Sequence, residues 1–419
     1  MSYLPSERMS AKMTALHALP GIREALAFLE QDQENSILEQ ISIAEIEAPT
    51  FHEEGRAKFF VEKLESLGLQ NPVVREDGNV TALIPGVESG IILIEAHMDT
   101  VFPFGTVKEI RRENGVLYGP GIYDNARGMA ALLAMLRALN ISGLRPRKSI
   151  LVAGTVQEEV PGGNQGIANL LDDYPELEAS ISADGGFIEG ISYRGSFSTT
   201  VIFTFHGIGG HARNGFGRFA NPLNAACRAV EKISGIHVPP NTQTTYSATR
   251  IVVPEECSIG SFPGSCELYI DYSSQEKEPF EKLGAQIEEC VMEACCEETR
   301  RWGADTIRYT RKVYSYTPGG EQDIHAPIIE AHYLAGKSLG LEPYFWSGLS
   351  NGNIPISRSI PAVTAGSGGV RRYMKGHSLE ELFPEKDAYH FPQGLLLLLL
   401  MVAGVYGSIH SCLEEEGDK

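Results

Sequence analysis

Cationic side chains are in short supply. Against 54 Asp and Glu the 419 residues hold 35 Lys and Arg, a formal net charge of −19. A surface of that sign repels phosphates, which argues against nucleic acid or an anionic membrane surface as a partner. Long apolar runs are missing too. The stretch opening with Leu395–Leu400 breaks at Gly404, short of the roughly 20 residues that cross a bilayer. It reads as the last core helix. The start, MSYLPSERMSAKM, has no apolar segment of signal-peptide length, so a cytoplasmic location is expected. The seven Cys include no CxxC pair, which fits reduced thiols rather than a disulfide framework. Cys295 and Cys296 fall in an expected helix and read as packing. No internal repeat is present.

What is present is organised around residues 91–124. Ile91, Ile92, Leu93 and Ile94 form an apolar run without a polar break. Such a run suits a strand buried on both faces of a parallel sheet. The chain then turns polar through Glu95, His97 and Asp99. Open α/β sheets bind ligands at the carboxyl ends of their strands, so a His and an Asp stand where chemistry is expected. Their spacing lets Asp99 bond one ring nitrogen of His97 and aim the other at a metal. A Gly/Pro turn from Tyr118 to Gly121 delivers Asp124.

The pattern repeats. Ser149–Val156 reads as a strand and leads into Glu158 and Glu159. Ser180–Ala183 leads into Asp184 and Gly185-Gly186, and Ala362–Gly369 leads through a glycine-rich loop to His377. Two His and several carboxylates at strand ends suit a pair of divalent ions such as Zn²⁺.

The blocks AHMDTVFP, YGPGIYDNARG, QEE, ADGG, GGHA and GHSLEE resemble, in order, those of the co-catalytic dizinc exopeptidases. That family contains peptidase T, carboxypeptidase G, aminoacylase and succinyl-diaminopimelate desuccinylase. The pattern is nearest to the peptidase T-like aminopeptidases. The resemblance spans nearly the whole chain. It implies an α/β class with a catalytic α/β/α domain, a mostly parallel central sheet and an inserted, smaller α+β lid or dimerisation domain.

The chain read in order agrees with two domains, as 419 residues exceed one usual core. Gly21–Ile46 should hold one or two helices and Glu54–Leu67 another. Asp77-Gly78-Asn79 should turn a hairpin within Val73–Ile84. Gly128–Leu139 is Ala-rich and should be a buried helix behind Asp124, and Ile167–Leu171 should open another. Beyond Gly190 the pattern changes. Ser198–Phe205, Thr242–Val253, Cys266–Tyr272 and Thr306–Val313 read as strands, with helices over Asn221–Ile233 and Pro279–Glu298. Two helices on a sheet with one solvated face make an α+β unit. The lid is therefore expected over 194–314, and the catalytic domain over 1–193 and 315–419. Ala326–Leu339 should be a helix of the latter.

By resemblance, Asp124 bridges two metals, His97 and Asp184 complete one site, and Glu159 and His377 the other. Zn is expected, with Co or Mn as alternatives. Glu158 is the implied general base, and His211 of the lid the implied donor to the oxyanion. His206, in the same loop, reads as structural. In related dimers that histidine comes from the partner's lid, so a homodimer is expected. Three positions depart from the family. Gly260 and Ser273 stand where many members carry an Asn and an Arg, which removes a clamp for a substrate carboxylate; Arg371 and Arg372 offer a replacement. Asn351 stands where an Asp is usual. Asp184, where deacylases and carboxypeptidases tend to use Glu, matches the peptidase T pattern. The favoured reading is an aminopeptidase on short peptides. The alternatives are an N-acyl amino acid deacylase or carboxypeptidase, and an inactive binding protein on the same fold.

Overall fold

The computed structural model describes residues 3–414 except 108, 186–187, 239, 241–242, 255, 303–306 and 367–374. The chain forms two compact units, Met1–Gly195 with Gly320–Lys419, and Ser196–Gly319.

The first unit is built on a nine-stranded sheet. Ser149–Thr155, Ile91–His97, Leu177–Asp184 and Ala362–Gly366 form its parallel centre. Antiparallel strands flank it, Val80–Ile84 on one side and Gly190–Gly195 on the other. The central strands are buried on both faces, as their unbroken apolar runs require. Parallel strands end on the same side, so His97, the 156–159 turn and Asp184 share one edge of the sheet.

Two helices show why apolar composition alone is not a membrane signal. Ala126–Ser142 is buried around most of its circumference. His390–Ala403 packs on it, with Leu395–Leu400 at 0–1% exposure. Among the described residues no helix is long and apolar enough to cross a membrane. Asn125 ties the start of Ala126–Ser142 to the sheet. Its side chain accepts from Gly128 N at 3.1 Å and donates to Ala183 O at 2.9 Å. Gly128 makes that approach possible: a Cβ there would lie 2.2 Å from Ala183 O. The helix is thereby seated against the strand end that carries Asp184.

The residues expected to hold one or two helices hold two, Pro20–Gln31 and Gln33–Ala44. A further helix, Glu7–Ala18, precedes them; Ser6 caps it by accepting from Met9 N. A small antiparallel sheet of Arg111–Glu113, Val116–Tyr118 and Leu382–Pro384 also went unread in the sequence. Its strands are three residues long, too short for any periodicity to register.

The second unit is a four-stranded antiparallel sheet in the order Thr245–Val252, Ser265–Ser274, Phe197–His206, Arg308–Thr317. Helices Pro222–Ser234 and Lys277–Trp302 pack on it. Ser265–Ser274 alternates buried and half-buried along its length, the period-two signature of a sheet covered on one face. The expected end at 314 falls inside the strand Arg308–Thr317, which runs on to its pairing of Thr317 with Ser198. The unit therefore closes at Gly319 rather than at 314.

Candidate metal centre

His97 ends its strand at 1% exposure. Its Nε2 lies 3.0 Å from Asp124 Oδ1 and 3.4 Å from Asp184 Oδ1. Its Nδ1 lies 3.2 Å from the backbone oxygen of Asp99 and 3.4 Å from Asp99 Oδ1. Across Asp124, His377 Nε2 lies 3.4 Å from Asp124 Oδ2 and 3.2 Å from Glu159 Oε1. Asp124 thus stands between His97 with Asp184 on one side and His377 with Glu159 on the other. Ligand atoms of His97, Asp124 and Glu159 all lie within 4.8 Å of one another. His377 sits in the left-handed backbone region, φ 61°, a conformation that costs a β-carbon residue energy and gathers at functional sites.

The field of this cluster is strongly negative. Asp99, Asp124, Glu158, Glu159 and Asp184 surround two imidazoles. Burial disfavours a charged His97, yet the Asp184 charge and hydrogen bonds to Asp124, Asp184 and Asp99 outweigh it and hold the ring's pKa well above its ordinary value. Hydrogen bonds to Asp124 and Glu159 push His377 up to about 11. Burial opposes ionisation of Asp124, but the two histidines win and hold it below the usual carboxylate range. Burial, against the pull of His97, raises Glu158, and the charges of Asp184, Glu159 and Asp99 raise it further. Burial raises Glu159 too, although His377 opposes this. A carboxylate-rich pocket that draws protons onto its histidines wants cations. Imidazole and carboxylate donors converging from both sides of one bridging carboxylate fit divalent metal ions.

Asp99 contributes more than its contact with His97. It is fully buried and accepts Glu158 N at 3.1 Å and Glu159 N at 3.0 Å, one on each oxygen, and Thr50 Oγ1 at 3.0 Å. It therefore fixes the turn that carries both glutamates. Gln157, just before them, has φ 58° and donates its N–H to Glu53.

Several positioning residues were invisible in the sequence. Glu381 is fully buried and accepts the backbone N–H groups of Tyr123 at 2.7 Å and Asp124 at 2.8 Å. Burial and the Asp124 charge push its carboxyl up to about 8. The pairing of Leu382 with Tyr118 brings it there. Arg56 is also fully buried, donating to Ile46 O and Met98 O at 3.0 and 2.9 Å beneath the site. Burial draws its pKa down to about 10 against the charges of Asp99, Glu381 and Asp124. An Arg in the first turn of a helix reads as a solvated side chain until tertiary packing covers it. Asn164, in the loop after the glutamates, donates to Glu158 Oε1 at 3.2 Å.

His211 belongs to the second unit. It is exposed, pairs with Ser261 in a two-residue bridge, and caps the short helix Ala212–Gly215. Its Nδ1 accepts from Arg213 N and Asn214 N, which leaves the proton on Nε2 as a donor. Gly260 O accepts Ala212 N at 2.9 Å, and Ser273 Oγ bonds Thr245 Oγ1 at 2.8 Å. Asn351 is buried beneath Glu158, bonded to Asn164, Glu95 and Thr155. Arg371, Arg372 and Gly186 lie outside the described residues.

Residues 93–338 match the model of Peptidase family M20/M25/M40. The chain is 32% identical over 355 residues to a Pyrococcus abyssi protein provisionally named LysW-lysine/LysW-ornithine hydrolase, covering 82% of this chain and 87% of that one. Its fold is similar to that of a tripeptidase from Staphylococcus aureus, with TM-score 0.70 and 20% identity over 88% of this chain and 98% of that one. It is similar also to aminopeptidase PepT from Bacillus cereus, with TM-score 0.66 and 19% identity over 87% and 97%.

Proposed function

The chain belongs to Peptidase family M20/M25/M40, and from that membership we propose that it removes the N-terminal residue of short peptides by metal-dependent hydrolysis. The observation that carries this reading is the placement of Asp124 between His97 and His377, with Glu158 on the same turn as Glu159. His97 and Asp184 would hold one ion, His377 and Glu159 the other, with Asp124 shared. Divalent ions bound there, Zn first and Co or Mn as alternatives, would supply a Lewis acid and a water of lowered pKa.

The chain's own residues do the rest. Glu158 takes the attacking water's proton on its carboxylate and hands it to the leaving amine, help worth about 10²–10⁴-fold. Its raised pKa suits the first half of that exchange, since burial makes its carboxylate a stronger base toward the water's proton. Asp99 holds the glutamate turn in place. His211 supplies an Nε2–H donor to the oxyanion. It lies in the second unit, and we propose a homodimer through that unit in which His211 serves the partner's site.

Aminopeptidase polarity is supported by Asp184 and by Ser273, whose hydroxyl is engaged across the sheet where a carboxylate clamp would need a cation. A second reading, an N-acyl amino acid deacylase or carboxypeptidase, is favoured by the names of two further relatives, carboxypeptidase G2 from a Pseudomonas and succinyl-diaminopimelate desuccinylase from Corynebacterium glutamicum, each 29% identical over part of the chain. Turnover of a tripeptide, its N-acetylated form and its C-terminal amide, with products identified, separates the two. The aminopeptidase reading expects the free-amine peptides to be cleaved at their first bond. Faster hydrolysis of the acetylated form overturns it.

A further inference from the structure

Behind Glu158 runs a chain of polar side chains that the reaction as described does not use. Asn164, Asn351, Glu95 and Thr155 are 2%, 1%, 1% and 0% exposed. Asn164 Nδ2 donates to Glu158 Oε1 and to Asn351 Oδ1, both at 3.2 Å. Asn351 Nδ2 donates to Glu95 Oε2 at 3.0 Å and to Thr155 Oγ1 at 2.9 Å. Thr155 Oγ1 in turn donates to Glu95 Oε2 at 2.7 Å.

The direction of these bonds is fixed from one end. An amide nitrogen has two hydrogens and an amide oxygen has none. Thr155 and Asn351 both donate to Glu95 Oε2, and an ionised carboxylate can only accept, so with Glu95 ionised the amide nitrogen of Asn351 faces it. The oxygen of Asn351 then faces Asn164, which must present its own nitrogen there. That same nitrogen is the one that reaches Glu158. Turning either amide over would set oxygen against oxygen between buried groups, where an unmade bond is costly.

We propose that Asn351, oriented by Glu95, is a positioning residue that locks Asn164 as a donor to Glu158 and so sets where the base's carboxylate stands. The proposal rests on Glu158 being the base. It assigns functions to Glu95 and Asn351 that a buried polar network serving only the fold would not have.

The pair can be exchanged. Asn351→Asp removes the donor that Glu95 needs and sets two carboxyl groups face to face, which disturbs the acceptor that fixes Asn164. Glu95→Gln with Asn351→Asp restores a donor opposite an acceptor with the polarity reversed, and the carboxylate introduced at position 351 can still accept from Asn164. For each variant kcat, KM, metal content and the melting temperature of the metal-free protein are measured. The expected result for Asn351→Asp is unchanged metal content, KM near wild type, kcat lower by about 10–10²-fold as for a misplaced catalytic group, and a lower melting temperature. The double variant should regain both kcat and melting temperature. Wild-type kcat in Asn351→Asp, or a double variant that regains stability without kcat, overturns the proposal. Should Asn351→Asp not fold, Asn164→Ala removes the donor to Glu158 itself, and wild-type kcat there overturns it equally. Glu158→Gln is the control. If it keeps wild-type turnover, the assignment of the base fails and the positioning role fails with it. If it is inactive while Asn351→Asp is not, only the positioning role fails.

Discussion

The two carboxylate oxygens of Asp124 face different histidines: Oδ1 lies 3.0 Å from His97 Nε2, and Oδ2 lies 3.4 Å from His377 Nε2. One short side chain therefore links two elements 280 residues apart in the sequence, a strand end and the loop that carries His377. Without a cation the contact is an ion pair between imidazolium and carboxylate. The same atoms are metal donors once the rings lose their protons.

From that arrangement follows the first expectation, two divalent ions per chain. Elemental analysis of active protein should find about two, and chelation should abolish turnover, with recovery on adding Zn, Co or Mn. Full activity in protein free of metal would contradict it.

Glu381 holds Asp124 through backbone N–H groups, not through its side chain. Glu381→Ala leaves two N–H groups without their acceptor, and each such loss costs about 1–3 kcal/mol. Metal affinity should drop by about 10–100-fold, as when the partner that orients a ligand is lost. Competition titration and melting of the metal-free variant measure the two effects. Unchanged values of both would show that the loop keeps its shape without Glu381.

Much of this site was legible in the sequence because of one physical constraint. A strand buried on both faces must be apolar, so Ile91–Ile94 and Ser149–Val156 announced themselves, and the polar residues at their ends stood out. His97 and Glu159 stood out that way, and Asp124 through the Gly/Pro turn before it; ligand atoms of the three lie within 4.8 Å of one another. Arg56 and Glu381 were not, because burial of a charged side chain depends on long-range packing that no local pattern encodes. Glu95 passed for the polar edge of a strand, yet it is 1% exposed. Asn351 was noted only as a departure from the family, and its partners Asn164 and Thr155 are far from it in sequence. The helix Glu7–Ala18 escaped because its buried residues, Met9, Met13 and Leu16, are few among polar neighbours.

His332, on the helix Pro327–Ser338, is buried at 8% exposure, and burial pulls its pKa down to about 4 from 6.5. The unfolded chain takes up this proton below about pH 6.5, while the folded chain resists until about 4. Stability from this group is therefore present above the unfolded pKa and is lost as pH falls from about 6.5 toward about 4, by up to about 3 kcal/mol. Melting curves at pH 7 and pH 4.5 should differ less for His332→Leu than for wild type. An equal or greater loss in the variant would contradict the assignment.

The homodimer with shared sites predicts complementation. His211→Ala and Glu158→Gln should each be inactive alone. A mixed dimer holds one site with both residues intact, so subunit exchange should restore part of the activity. If subunits exchange, as shown by labelled chains, and activity stays at the parental level, His211 acts within its own chain or not at all.

The most direct test of the account is turnover and metal content measured on one preparation of Glu158→Gln. The substitution keeps size and removes only the capacity to carry a proton. The account predicts metal content equal to wild type and turnover lower by at least about 10²-fold. Loss of metal in this variant, with metal retained in Glu159→Gln, would contradict it by showing that the two neighbouring glutamates have exchanged roles.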